Sequence, residues 1–263
     1  MHPISAFIIT KNEEKRLAKA ILSIKDLVDE IIVVDSGSTD GTVALAKSLG
    51  AKTIYNEWPG YVAQKSFGES KCKHKWILNI DADEELSKDL KDEIDYIFSS
   101  KLEEKYKAYR LNFVIMHRMD SKPRLFAPCN SFIRLYRKDF ASFKNSIDFT
   151  TRDAVTLNHG ENEGENVMLL SGVAFHYSGV SIDQLVSKAN FYSREQARDM
   201  LQNGRKPSKM RVYGEFFIYF FKAFFIRRYF VFGYHGFVDS IIFAFARFLR
   251  LAKAREMFEA NNK

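Results

Sequence analysis

Hydrophobic positions in the first hundred residues change period several times, and each change marks a predicted element. The run Ile4-Ser5-Ala6-Phe7-Ile8-Ile9-Thr10 is apolar and β-branched, which predicts a strand over 4–10. Leu17, Ala20, Ile21 and Ile24 then recur at helical spacing and predict a helix over 13–24. Glu30-Ile31-Ile32-Val33-Val34-Asp35 reads as a second strand, followed by a polar turn over 36–42 and a helix over 43–49 that Gly50 stops. A third strand over 51–55, a helix over 61–71 and a fourth strand over 76–80 complete the series. Such alternation predicts a parallel sheet with helices on its faces. Beyond residue 100, strand-like runs at 109–115, 132–137 and 173–177 are separated by polar loops, which predicts mixed or antiparallel strands.

Ligands of open α/β sheets bind beyond the carboxyl ends of the strands. Thr10-Lys11-Asn12-Glu13, Asp35-Ser36-Gly37-Ser38 and Asp81-Ala82-Asp83 all fall at such ends. The last cluster is the most charged, with Asp81, Asp83, Glu84 and Glu85 following the apolar run of the fourth strand. Asp81 and Asp83 flank an alanine small enough for close approach, and two hard oxygen donors at that spacing suit Mg²⁺ or Mn²⁺ carrying a phosphorylated substrate. Acids opening a helix, where the dipole favours them, are the alternative. Asp35 has its own alternative as a turn-forming residue ahead of Gly37.

The 263 residues are enough for one large domain, or for one domain with an appendage. Cys72 and Cys129 match no metal or redox spacing, so a reducing compartment is expected, and no signal-peptide pattern opens the chain. Charge changes the picture more. The net +7 is concentrated at the end: residues 201–263 hold 12 Lys or Arg against 4 Asp or Glu, together with 17 of the 38 aromatic residues. Basic and aromatic together point to a phosphate-rich partner with an apolar part, membrane lipid or a lipid-linked substrate, and not nucleic acid. Lys222, Arg227 and Arg228 interrupt the aromatic run over 213–232, which argues against a transmembrane span. Over 236–253, Phe237, Ile241, Phe245, Phe248 and Leu249 form one helical stripe with Arg247, Arg250 and Lys253 off it. That pattern suits a helix lying in a membrane interface, or one packing its aromatics on the α/β domain.

Ile8-Ile9-Thr10-Lys11-Asn12-Glu13-Glu14, Ile32-Val33-Val34-Asp35-Ser36-Gly37-Ser38-Thr39-Asp40-Gly41-Thr42 and Asn79-Ile80-Asp81-Ala82-Asp83-Glu84 occur in one order at set intervals. In this the chain resembles the inverting family 2 glycosyltransferases of the GT-A fold, whose nucleotide-sugar lies at the carboxyl edge of a mostly parallel sheet flanked by helices. A Rossmann dehydrogenase is disfavoured, since no Gly-X-Gly-X-X-Gly follows the first strand. With His176-Tyr177-Ser178, residues 185–193 and Gly233-Tyr234-His235-Gly236-Phe237, the resemblance is closest to the lipopolysaccharide core β-1,4-glucosyltransferases.

That resemblance implies a GT-A catalytic domain over 1–205 and, over 206–263, an amphipathic helical tail for membrane or acceptor contact. It implies metal-dependent, inverting transfer of a hexose, glucose from UDP-glucose, to a lipid-linked glycan acceptor. Another UDP-hexose, a polyprenyl-phosphate acceptor or a non-catalytic sugar-nucleotide-binding module are the alternatives. The enzyme would be cytoplasmic, peripheral on the inner face of the inner membrane and in contact with its anionic surface. Asp83 would bind the metal, Asp81 the ribose or the metal shell, and Asp35 the uracil ring, with Thr10 and Glu13 bordering the nucleoside. The acceptor's proton would pass to Asp153, with Asp148 as rival, although Arg152 stands where relatives carry histidine. His176 would complete the metal shell, touch the diphosphate, or be a hydrogen-bonded core residue. Lys65, Arg134 and Arg137 are available for phosphate groups.

Overall fold

A computed structural model describes residues 1–143, 155–177 and 181–261, which divide into two compact units. The first holds Met1–Val114 and Cys129–His176. It opens β1 (His2–Thr10), α1 (Leu17–Ile24), β2 (Val28–Asp35), α2 (Thr42–Ser48), β3 (Lys52–Tyr55), α3 (Tyr61–Lys71) and β4 (Trp76–Asn79), the alternation the hydrophobic periods predict. It continues with β5 (Glu84–Leu86), α4 (Lys88–Ser99), β6 (Ala108–Ile115), β7 (Cys129–Arg137), β8 (Ala141–Ser142), β9 (Thr156–Leu157) and β10 (Val167–His176). Helix α1 starts four residues later than its apolar spacing suggests. Asn12 takes a left-handed φ of 57°, and the Glu13 carbonyl accepts from the Arg16 and Leu17 N–H groups, so a turn occupies that stretch.

Among the described residues eight strands form one sheet in the order β3-β2-β1-β4-β7-β6-β10-β5, and β8 pairs with β9 separately. β1, β2, β3 and β4 are parallel, whereas β7 runs antiparallel to β4 and β6, and β5 antiparallel to β10. The mixed second half expected from the polar loops is thus present. The sheet has to curl. Five Cα steps from Asn79 to Glu84 reach at most ~18 Å fully extended, while four flat strand spacings from β4 to β5 would need ~19 Å. The link is in fact turned, with the Glu84 N–H bonded to the Asp81 carbonyl at 3.0 Å. Curling therefore brings β5 and β10 back over the end of β4. Ile4, Ala6, Ile8, Val33 and Leu78 pack with Leu17, Ile21 and Ile94 on one face, and Phe7, Ile32, Ile77 and Tyr136 form a second cluster.

The second unit holds Ile115–Pro128 and Tyr177–Lys263. Its helices are α5 (Ile182–Gln202), α6 (Lys209–Phe221) and α7 (Tyr234–Ala260), with a π turn at Lys222–Ile226 and a 3₁₀ turn at Tyr229–Phe232 between the last two. Ser181 and Ser208 cap α5 and α6 through their hydroxyls. The compact units divide at Tyr177, earlier than the functional boundary expected at 205, because α5 packs along α7. Lys253 there donates to the Asn190 carbonyl at 2.9 Å and to the Ser193 hydroxyl at 2.7 Å. The segment 115–128 joins the same unit through Arg118, whose Nη1 donates to both oxygens of Asp239 at 2.9 Å. Gly236 is required by close approach, since a Cβ there would stand 1.8 Å from the Tyr229 carbonyl oxygen. Among the described residues no helix is long and apolar enough to cross a membrane.

Candidate active site

The carboxyl ends of β1, β2 and β4 bring the three polar clusters to one edge of the first unit. Thr10 pairs in register with Asp35. The Asp35 carboxylate is buried and accepts from the Gly37 and Ser38 N–H groups at 2.9 Å each and from the Ser38 hydroxyl. Those bonds form an Asx turn, and Gly37 at φ +88° supplies the left-handed residue it needs. Thr10 beside it differs, because its buried hydroxyl oxygen has no hydrogen-bond partner. Leaving such a group unmet among the described residues costs about 1–3 kcal/mol, which a ligand bonding there would relieve.

Glu13 faces Arg16. The guanidinium bonds both carboxylate oxygens, at 2.7 and 2.5 Å, and its Nη1 reaches Asp83 Oδ2 at 3.2 Å. Glu13 thereby orients Arg16 toward Asp83, while its own N–H is held by the Thr42 hydroxyl at 2.8 Å. Asp81 lies between two buried cations. Lys65 Nζ from α3 is 2.7 Å from Oδ1, and Arg134 from β7 is 2.9 Å from Oδ2. Burial is the largest influence on Asp81 and opposes its charge, but Arg134 and Lys65 outweigh it and hold the carboxyl well below the usual range.

Arg134 also bonds Glu84 Oε1 at 2.9 Å and Asn79 Oδ1 at 2.5 Å, and it lies over the Phe113 ring at 5.2 Å. Glu84 accepts from the Asp81 N–H at 2.9 Å. Burial lifts its pKa, and the Asp81 charge adds to the rise against the pull of Arg134. One guanidinium thus ties β4, β5 and β7 together. Arg137, also weighed for phosphate binding, instead pairs with Asp139 at 2.6 Å on an exposed surface.

Asp83 Oδ2 stands 3.6 Å from His176 Nε2, and β10 pairs with β5 so that His176 sits opposite Glu84. Burial acts most strongly on both side chains and opposes both charges, yet each favours the other's ionised form, so Asp83 is lowered and His176 raised. A divalent ion with ~2.1 Å bonds keeps adjacent donors ~3 Å apart, so this pair needs only a small closure to share one ion. Among the described residues no group of three ligating side chains gathers. Mg²⁺ and Mn²⁺ sites often take one or two protein donors and fill the rest with water and phosphate. Asp83 fits that pattern as a carboxylate, His176 would add an imidazole nitrogen once the ion displaces its proton, and Arg16 sits against the carboxylate oxygen such an ion would take. Asp153 and Asp148 lie outside the described residues.

The sheet edge therefore joins Thr10, Glu13, Asp35, Asp81 and Asp83, expected at strand ends, with His176, expected from the resemblance, and Lys65, expected against phosphate groups but paired with Asp81. Arg16 and Glu84 carried no separate signal in the sequence, and Arg134 was one basic residue among several. The clue available was Asn79, a polar residue in an apolar strand, whose full burial demands a partner.

Fold and edge together define an α/β protein of the GT-A class, with its polar site where the parallel strands end. The profile described as glycosyl transferase family 2 matches residues 5–103. An uncharacterized glycosyltransferase of Rickettsia felis is 62% identical over 97% of this chain and 90% of its own length. The lipopolysaccharide core biosynthesis glycosyltransferase LpsC of Rhizobium meliloti is 30% identical over 95% of this chain and 91% of its own. Among solved structures, the Mycobacterium tuberculosis glucosyl-3-phosphoglycerate synthase with Mn²⁺, UDP-glucose and phosphoglyceric acid superposes with a TM-score of 0.34 at 25% identity, covering 45% of each chain. The chain belongs to glycosyl transferase family 2.

Proposed function

We propose that this glycosyltransferase moves a hexose, glucose from UDP-glucose, with inversion onto a lipid-linked acceptor of the lipopolysaccharide core type. One observation carries the reading: Asp81 and Asp83 stand at the end of β4, each held ionised between cations, beside an unbonded Thr10 hydroxyl. The full-length likeness to a relative named for lipopolysaccharide core biosynthesis supports the acceptor class.

Thr10 and Glu13 border the nucleoside, Asp35 meets the uracil ring, and Asp81 bonds the ribose or the metal shell. Lys65 and Arg134 hold Asp81 in its charged form and in one rotamer, so the carboxylate is oriented before any ligand arrives. Asp83 and His176 would hold Mg²⁺ or Mn²⁺, which when bound supplies positive charge to the departing diphosphate. Glu13 keeps Arg16 at the same carboxylate, where its guanidinium balances the charge of Asp83. The acceptor hydroxyl gives its proton to Asp153, with Asp148 as the other carboxylate available, on the resemblance alone. The basic, aromatic second unit, with residues 206–263 as its functional tail, keeps the enzyme peripheral on the inner face of the inner membrane, where a lipid-linked acceptor is presented.

A panel of nucleotide-sugars, with and without Mn²⁺ and with a lipid-linked core acceptor, tests the reading through release of the nucleoside diphosphate. Release from UDP-glucose that needs both metal and acceptor is the expected result. Release from no donor under any condition would leave a sugar-nucleotide-binding module in place of an enzyme.

A further inference from the structure

Helices α6 and α7 run antiparallel, as their contacts show: Glu215 meets Arg250, Tyr219 meets Phe243 and Phe220 meets Phe237. The buried Glu215 carboxylate takes Arg250 at 2.6 Å and faces Arg211 at 3.7 Å, so its charge is spent on those two. Three further cations gather around the neighbouring pair of rings. Arg247 lies 5.0 Å from the Tyr219 ring and 5.3 Å from that of Phe243. Arg227 stacks 4.7 Å from Phe243, and Lys222 stands 5.7 Å from Tyr219. Among the described residues none of the three has a carboxylate within ion-pair distance. Like charges held together in this way repel. Burial is the main influence pushing the Arg247 guanidinium down from its ordinary value, and Arg250 and Arg227 add to it.

The backbone is shaped to hold this arrangement. Lys222 opens the π turn that ends at Ile226, a kind of local widening common at functional sites. Arg228 follows at a left-handed φ of 60°, which turns the chain toward α7. Around the cations the surface is apolar and open: Phe217, Ile218, Phe221, Phe225, Ile226 and Phe230 are all exposed. The Phe221 and Phe225 rings lie 4.5 Å apart at a tilt of 38°, so the two are contiguous and not scattered. Planar guanidinium groups match phosphate oxygens two at a time, and aromatic rings already hold two of these groups in place. An anion bound here would have an apolar body beside it.

We propose that Lys222, Arg227 and Arg247 form a binding site for the phosphate headgroup of a membrane lipid, with Phe221, Phe225 and Ile226 entering the acyl boundary beside it. The inference rests on the peripheral-membrane reading and deepens it, because it names the lipid chemistry and the residues that meet it. Phosphate is the anion chosen because two guanidinium groups and an ammonium surround one pair of rings, and guanidinium groups match phosphate oxygens. The lipid source follows from the exposed apolar rim, which a soluble phosphate would leave in water.

Donor-free, full-length protein is sedimented with phosphatidylcholine vesicles, with and without phosphatidylglycerol. Wild type is expected to bind only the anionic vesicles. K222Q/R227Q removes two exposed cations and should bind about 30-fold more weakly, at roughly 1 kcal/mol per basic residue near a charged surface. F225S/I226S should lose binding at an unchanged melting temperature. The proposal is overturned if K222Q/R227Q sediments like wild type, or if neutral vesicles retain wild type equally well. Inorganic phosphate alone should raise the melting temperature of wild type more than that of K222Q/R227Q, because the substitutions remove two of the three cations. A shift confined to wild type, without vesicle binding, would make the ligand a soluble phosphate and overturn the lipid assignment. The transfer reading stands or falls separately, since D83A is expected to lose donor turnover and keep its vesicle binding.

Discussion

At the sheet edge of the first unit, Asp81, Asp83 and Glu84 are each matched by Lys65, Arg16, Arg134 or His176, and Lys65, Arg134 and Glu84 are buried. Between α6 and α7 of the second unit, Lys222, Arg227 and Arg247 lie against aromatic rings with no acid beside them. The difference separates two ways of preparing a site. Buried charges cannot stand alone, so the first unit neutralises its carboxylates internally, and a ligand there must replace a partner such as Arg16. Lys222 and Arg227 are exposed and have water as a partner, while the half-buried Arg247 rests against two rings, so the second unit holds the three without a carboxylate for an anion that arrives from outside.

Removing a carboxylate from the matched edge should have the largest effect. D83A deletes the proposed metal donor and should lower UDP release about 10³-fold, several kcal/mol of lost charge stabilisation, measured with saturating donor. R134M leaves Asp81, Glu84 and Asn79 facing an apolar side chain. Urea unfolding should show a loss of about 4 kcal/mol, the scale for breaking one side of a buried ion pair.

The same kind of change in the second unit should cost less. E215Q keeps a hydrogen-bond acceptor for Arg250 but removes the charge, and should lower stability by about 2 kcal/mol in the same measurement. A loss as large as that of R134M would erase the distinction between the two units. The smallest effect is chemical. Burial pushes the Cys72 thiol up to about 12, whereas Cys129 is exposed. Alkylation at neutral pH, read by mass spectrometry, should modify Cys129 and spare Cys72 until the protein is unfolded.

The alternating strands and helices up to β4 were legible because each buries one face with its own period, and Leu17, Ala20, Ile21 and Ile24 show it plainly. Positions 10, 35, 81 and 83 could be placed at strand ends for the same reason. Curling could not be read, since it follows from the short turned link between β4 and β5 and the pairing of β5 with β10. The partners Arg134, Arg16 and His176 come from elements far apart in sequence, and no local pattern ties them to Asp81 or Asp83. In the tail, apolar residues over 213–232 exceed what one helical stripe needs, and the π turn at Lys222–Ile226 breaks the period that would have located α6.

The central claim is that the carboxyl edge of the first unit binds a nucleoside diphosphate with a divalent cation at Asp83. Calorimetric titration of UDP into the purified protein, with and without Mn²⁺, tests it most directly. Wild type should bind UDP far more tightly with Mn²⁺ than without, and D83A should lose that dependence while still unfolding cooperatively. Equal UDP binding by both proteins, with or without metal, would contradict it.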